Sequence, residues 1–112
     1  MWHKIEAVLR PYKIREILEY LDAAGYYYYL EECKGFGKRL SPLALYKDQE
    51  ALSVESLPRT KVSIYAREAD IGALVELLLE KSSTGIIGDG KLFVLPLIRA
   101  VEIGTQEIYG EH

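Results

Sequence analysis

Two stretches of this sequence combine glycine and lysine at close spacing: KGFGKRL, Lys34 to Leu40, and TGIIGDGKLFV, Thr84 to Val94. In the first, Gly35 and Gly37 flank Phe36 and run into Lys38 and Arg39. In the second, Gly85, Gly88 and Gly90 fall within six residues, with Asp89 inside the run and Lys91 closing it. Glycines let backbone N–H groups approach a ligand, and a following ammonium adds positive charge, a combination that cradles phosphate or another anion. Taken singly, either motif also describes a tight turn. Three glycines exceed what a turn requires, so the second loop's backbone is expected to lie close to another chain segment or to a ligand.

Other chemistry finds little support. His3 and His112 stand near opposite ends with no second ligand at metal spacing, so no metal site is expected. The single cysteine, Cys33, cannot form an internal disulfide and reads as a small buried hydrophobe. No Ser/His/Asp set, Cys/His pair or paired carboxylates emerge, which argues against an enzyme. The net charge of −3 argues against nucleic acid as a partner, since phosphate neutralisation needs a surplus of Lys and Arg on one face. No N-terminal apolar run of signal or membrane length is seen, and the cytoplasm is the default expectation.

The elements that must position the two motifs follow from periodicity. At 112 residues, 49% hydrophobic and 28% charged, the chain fits one domain, residues 1–112, of ordinary globular composition. Lys4 to Leu9 alternates, with Ile5, Ala7 and Leu9 on one face, and Pro11 closes this strand. Ile14, Ile17, Leu18 and Leu21 then form an apolar helical stripe that ends before Gly25. Tyr26 to Leu30 suits a strand continuing through Cys33 towards Gly35. It is aromatic or apolar at every position, which predicts burial on both faces. Its four tyrosines could form a base-stacking platform, but a buried strand at an interface between copies explains them better.

Gly37 to Pro58 shows no period and reads as a long loop, a length usually functional or disordered. Alternation returns at Thr60 to Ala66, with Val62, Ile64 and Ala66 inward. A second helical stripe follows at Ile71, Leu74, Val75 and Leu78. Leu92 to Leu95 is a continuous apolar strand, and Val101 to Ile103 reads as a short last one. The order is βαβ, long loop, βαβ: an α+β, ferredoxin-like βαββαβ domain whose second sheet face must be buried in an oligomer.

With this order in place, the sequence resembles the PII nitrogen-signalling family. The matching residues are KIEAVLRPYKI at Lys4 to Ile14, KGFGK at Lys34 to Lys38, LPR at Leu57 to Arg59, and TGIIGDGKLFVLP at Thr84 to Pro96. The resemblance implies a homotrimer with an adenine nucleotide bound in clefts between subunits. It also implies a mobile loop, Lys38 to Leu57 here, that engages a target membrane transporter or metabolic enzyme. Site residues implied are Gly35, Phe36, Gly37, Lys38, Arg39, Thr84, Gly88, Asp89, Gly90 and Lys91, with Leu40, Tyr46, Leu52 and Arg59 in or beside the partner-binding loop.

The departures are specific. Family members end RIRTGE, with two arginines on phosphate, whereas this chain has EIGTQE, placing Glu102 and Gly104 there. One unit-charge contact at about 4 Å is worth about 4 kcal/mol at an effective dielectric near 20, so the reversal disfavours triphosphate. ADP, AMP or a small anion such as bicarbonate is therefore expected ahead of ATP. Arg39 stands where a glutamine helps hold Mg²⁺ with 2-oxoglutarate, and guanidinium has no acceptor for a metal. The stretch EALSVES, Glu50 to Ser56, lacks a tyrosine for uridylylation. The expected role is a trimeric sensor in nitrogen or carbon metabolism that needs no cofactor. The alternative is an interaction module that has lost nucleotide sensing.

Overall fold

The computed structural model describes residues 1–35, 57–85 and 90–109. Strand β1 spans Trp2–Leu9, a 3-10 turn Pro11–Lys13, helix α1 Ile14–Ala24, strand β2 Tyr27–Gly35 and strand β3 Leu57–Arg67. Helix α2 spans Glu68–Ser82, strand β4 Gly90–Pro96, and two short strands follow, β5 at Ala100–Val101 and β6 at Ile108–Tyr109. The four long strands form one antiparallel sheet in the order β2-β3-β1-β4. This is the α+β arrangement that the element order implies.

Register fixes the two faces. Ile5 pairs with Ile64 and Val94, Ala7 with Val62 and Leu92, and paired residues point to the same side. That side is dry: Ile5, Ala7, Val62 and Ile64 pack with Ile17 and Leu21 of α1 and Leu74 and Leu78 of α2 in one core. Helix α1 stops where its stripe stops, because Gly25 takes a left-handed φ of 78° and its N–H bonds Asp22 and Leu21 carbonyls. Tyr28 reaches back to the same end, its hydroxyl donating to Asp22 Oδ1 at 2.5 Å. That bond, more than burial, raises the Tyr28 pKa.

Two local expectations are corrected. Strand β3 starts at Leu57, before the alternation begins, because Leu57 and Pro58 pair only with Gly35 and Lys34. Strand β1 ends opposite Thr60, so the missing N–H of Pro58 breaks no second ladder. Strand β2 lies at a sheet edge, and in the single chain Tyr27 and Tyr29 are 65% and 57% exposed, a face whose expected burial belongs to an assembly of copies. The expected last strand, Val101 to Ile103, is instead the first half of a hairpin. Glu102 N–H donates to Glu107 O at 2.8 Å and Gln106 N–H to Glu102 O at 2.7 Å, which turns the chain back.

Gln106 holds this hairpin at φ 64°, in the left-handed region that costs a side-chain-bearing residue about 1 kcal/mol or more. Gln106→Gly is expected to raise stability by about 1 kcal/mol, less the added chain entropy of glycine. Urea denaturation would show this as a higher midpoint at unchanged slope. A lower midpoint would mean the glutamine side chain contributes more than its backbone strain costs.

Candidate functional site

Of the residues the two motifs contribute, Gly35, Thr84, Gly90 and Lys91 are placed; Phe36, Gly37, Lys38, Arg39, Gly88 and Asp89 lie outside the described residues, as do Leu40, Tyr46 and Leu52 of the long loop. Gly35 is the last residue of β2 and Gly90 the first of β4. Both therefore emerge at the same end of the sheet, on its two opposite edges. Three strand spacings separate these edges, about 14 Å laterally. Arg59 sits near the same end, paired with Cys33 and donating from its guanidinium to Pro58 O at 3.1 Å.

Gly90 explains why the second motif must be glycine at this point. It pairs with Leu9 of β1 and adopts φ 137°. A Cβ there would collide with the Val8 carbonyl oxygen and lie 3.1 Å from Val8 C and 3.3 Å from Leu9 Cα. The close approach inferred for the motif is thus, at Gly90, an approach to the chain's own backbone. That contact fixes where β4 begins, and so fixes the Cα of exposed Lys91 opposite Val8.

Helix α2 delivers Thr84 to the other side of the loop. Its last turn closes with Ser83 N–H on Leu79 O at 2.9 Å, and the Ser82 hydroxyl donates to Leu78 O. Ser82 is thereby satisfied internally, while Ser83 and Thr84 remain exposed. A small open cavity of about 130 Å³ lies between this helix end and the start of β4, with Ser83, Gly90 and Lys91 on its wall. The volume suits a few waters or a small anion, with one lysine to balance charge.

The sheet face away from the helices is uncovered and chemically mixed. Across its middle, Lys4 Nζ lies 2.9 Å from Glu6 Oε1, and Lys61 Nζ bridges Glu6 and Glu31 at 3.9 and 3.7 Å. The Lys4–Glu6 hydrogen bond is the main reason the Lys4 pKa is raised and the Glu6 pKa lowered. Solvent reaches all four side chains, so the chain of charges adds little stability. Towards the Trp2 end, a larger cavity of about 390 Å³ is walled by Trp2, Tyr27, Tyr29 and Tyr65, with Val101 and Glu102 of the hairpin across from them. The sequence gives each of these residues, but only strand register brings them onto one face: Tyr27 pairs with Tyr65, and Trp2 with Arg67. Glu102 was notable as a charge reversal; its place beside four aromatic rings comes from the hairpin.

Among the described residues no group of His, Cys, Asp and Glu is arranged to hold a metal ion. No described helix is long and apolar enough to cross a membrane. The family model "Nitrogen regulatory protein P-II" matches residues 2–107. Similar proteins carry the same description: one from Cereibacter sphaeroides is 38% identical over 105 residues, 93% of each chain. One from Azospirillum brasilense is 35% identical over 109 residues, 96% of each chain. A Nitrogen regulatory protein P-II 2 from Methanothermobacter thermautotrophicus is 33% identical over 105 residues, 93% of this chain and 90% of its own. Proteins of this family are signal-transduction regulators rather than enzymes. Matched along nearly its whole length by model and relatives alike, the chain belongs to the PII nitrogen regulatory protein family.

Proposed function

We propose that this protein is a homotrimeric cytoplasmic regulator that senses an adenine nucleotide, ADP or AMP ahead of ATP, or a small anion, in clefts between subunits. Residues 38–57 then carry the signal to a target transporter or enzyme. The observation that supports this most is the placement of Gly90 and Lys91, where tight backbone packing presets an ammonium beside a small open cavity. The separation of Gly35 from Gly90 across two intervening strands supports a site completed by a second copy. Exposure of Tyr27, Tyr29, Phe93 and Leu95 on one sheet supports association through that face. Ligand binding changes target affinity only if it favours one loop conformation over another.

Calorimetric titration with ATP, ADP, AMP and bicarbonate, with and without Mg²⁺ and 2-oxoglutarate, tests the reading. Binding of ADP or AMP is expected to exceed that of ATP, and Lys91→Ala is expected to weaken it about ten- to a hundredfold, the loss of one charge-assisted hydrogen bond. A second reading, an interaction module without small-molecule sensing, draws on Glu102 and Gly104 at the positions of the family's phosphate-binding arginines. Silence across the panel from a folded trimer would select it.

A further inference from the structure

The net charge of −3 is unevenly placed along the strands. At the end where β1 stops, the Pro11–Lys13 turn and α1 follow it, β2 finishes at Gly35, and β3 and β4 begin. Those segments carry Arg10, Lys13, Arg15, Lys34, Arg59 and Lys91. Of the carboxylates on them, Lys81 in the last turn of α2 holds Glu16 at 3.4 Å and Lys61 holds Glu31 at 3.7 Å, while Glu32 lies further back along β2. The opposite end carries Asp22 in the last turn of α1, Glu68 and Asp70 in the first turn of α2, and Glu102 and Glu107 in the hairpin, against Arg67 and Arg99. The chain is therefore basic at one end and acidic at the other.

Part of the basic end lies off the face through which copies are proposed to associate. Lys34 alternates with Leu30, whose partner Val62 is in the core, so it falls on the helix side of β2. Lys13 and Arg15 stand at the start of α1, which covers that same side. Tyr12, in the turn before the helix, is 68% exposed, and Lys13 Nζ lies 5.4 Å from its ring centroid. The fold gains nothing from these two cations. Lys13 occupies the N-cap of α1 without a side-chain hydrogen bond, where Ser, Thr, Asp or Asn would satisfy an amide. Arg15 follows in the first turn, where the positive end of the helix disfavours a cation.

We infer that this end, through Tyr12, Lys13, Arg15 and Lys34, docks on a membrane surface rich in anionic phospholipid. A flat, fluid array of phosphates can meet cations carried by separate elements, none of which is aimed at a common point. The tyrosine ring suits the boundary between headgroups and acyl chains, with its hydroxyl in water. Nucleic acid or an acidic protein would use the charges and leave the exposed ring without a role. This goes beyond the nucleotide or anion reading, because none of the four residues belongs to that site. It also bears on the target: residues 38–57 connect β2 to β3 at this same end, so docking presents them to a protein within the membrane.

The experiment is sedimentation of the full chain with vesicles of phosphatidylcholine, with or without phosphatidylglycerol, at low and physiological salt. The vesicles hold no target and no nucleotide, so the result is independent of sensing. Binding is expected only with phosphatidylglycerol and is expected to weaken as salt rises. Lys13→Gln and Arg15→Gln are each expected to weaken it about fivefold, the share of one basic residue near an anionic surface. Tyr12→Ser is expected to weaken it too, without changing the salt dependence, and Arg99→Gln at the acidic end is expected to leave it unchanged. Circular dichroism of each variant must match the parent. Equal binding to phosphatidylcholine alone, an unchanged affinity in Tyr12→Ser, or an equal loss in Arg99→Gln would overturn the inference. So would displacement by inorganic phosphate at the lipid phosphate concentration, which would make this a site for the free anion. Binding of polyglutamate or duplex DNA that falls in Lys13→Gln and Arg15→Gln as vesicle binding does, and ignores Tyr12→Ser, would identify a general polyanion surface and overturn the lipid reading.

Discussion

Gly90→Ala is expected to destabilise the protein by about 3–5 kcal/mol, combining a strained backbone with overpacking against main chain. The new methyl would collide with the Val8 carbonyl oxygen and crowd Val8 C and Leu9 Cα, none of which can rotate away as a side chain could. At φ 137° the backbone is also one that only glycine adopts readily. Relief requires β4 to shift from β1, breaking the pairing that runs from His3–Pro96 to Leu9–Gly90. Urea unfolding measures the loss. Gly104→Ala is the control: nothing lies within 4 Å of its added Cβ and its φ is not positive, so it should change stability by less than about 0.5 kcal/mol. A Gly90→Ala protein as stable as the Gly104→Ala protein would mean that the close approach at Val8 is not a feature of the folded state. The same substitution bears on ligand binding, because Lys91 takes its position from the residue before it.

The contrast between these two glycines shows what a sequence conveys and what it withholds. Both are glycines near the chain's end, and only register reveals that one faces a carbonyl oxygen across a ladder. Elements defined by period are legible without it: Ile14, Ile17, Leu18 and Leu21 mark α1, Gly25 marks its end, and Val62, Ile64 and Ala66 mark the inward side of β3. Edge position is not encoded locally. The Tyr26 to Leu30 run looks like a strand covered on both sides, yet in the single chain Tyr27 and Tyr29 border solvent. The hairpin at Ala100–Tyr109 was hidden for a different reason, because its turn uses Gln106 at a positive φ instead of the glycine that signals such turns. Of the candidate site, Gly90 and Lys91 were legible as a motif, and their reason for being fixed was not. The aromatic cavity was illegible because Trp2, Tyr27, Tyr65 and Glu102 are brought together from four separate parts of the chain.

Ile64→Ala is expected to cost about 2–5 kcal/mol, while Tyr65→Ala, its immediate neighbour, should cost far less in an isolated subunit. Ile64 is fully buried on the central strand β3, flanked by Ile5 of β1 and Tyr28 of β2, and belongs to the core that α1 and α2 cover. Removing three carbons there loses transfer energy and leaves a cavity that two ladders and two helices prevent from closing. Tyr65 points to the other face, where it meets the ring of Tyr29 edge-on, a pair worth about 1 kcal/mol. Association through the open face reverses part of that difference. The loss in Tyr65→Ala would then grow with protein concentration, because a folded assembly is stabilised by mass action and a monomer is not. The Ile64→Ala loss arises within one subunit and should stay nearly the same at every concentration. Urea midpoints for both variants and the parent, measured across a hundredfold range of concentration, separate the two faces. Parallel behaviour of the variants would mean that the open face stays exposed, and that its tyrosines and leucines serve a ligand or a different partner instead of a second copy.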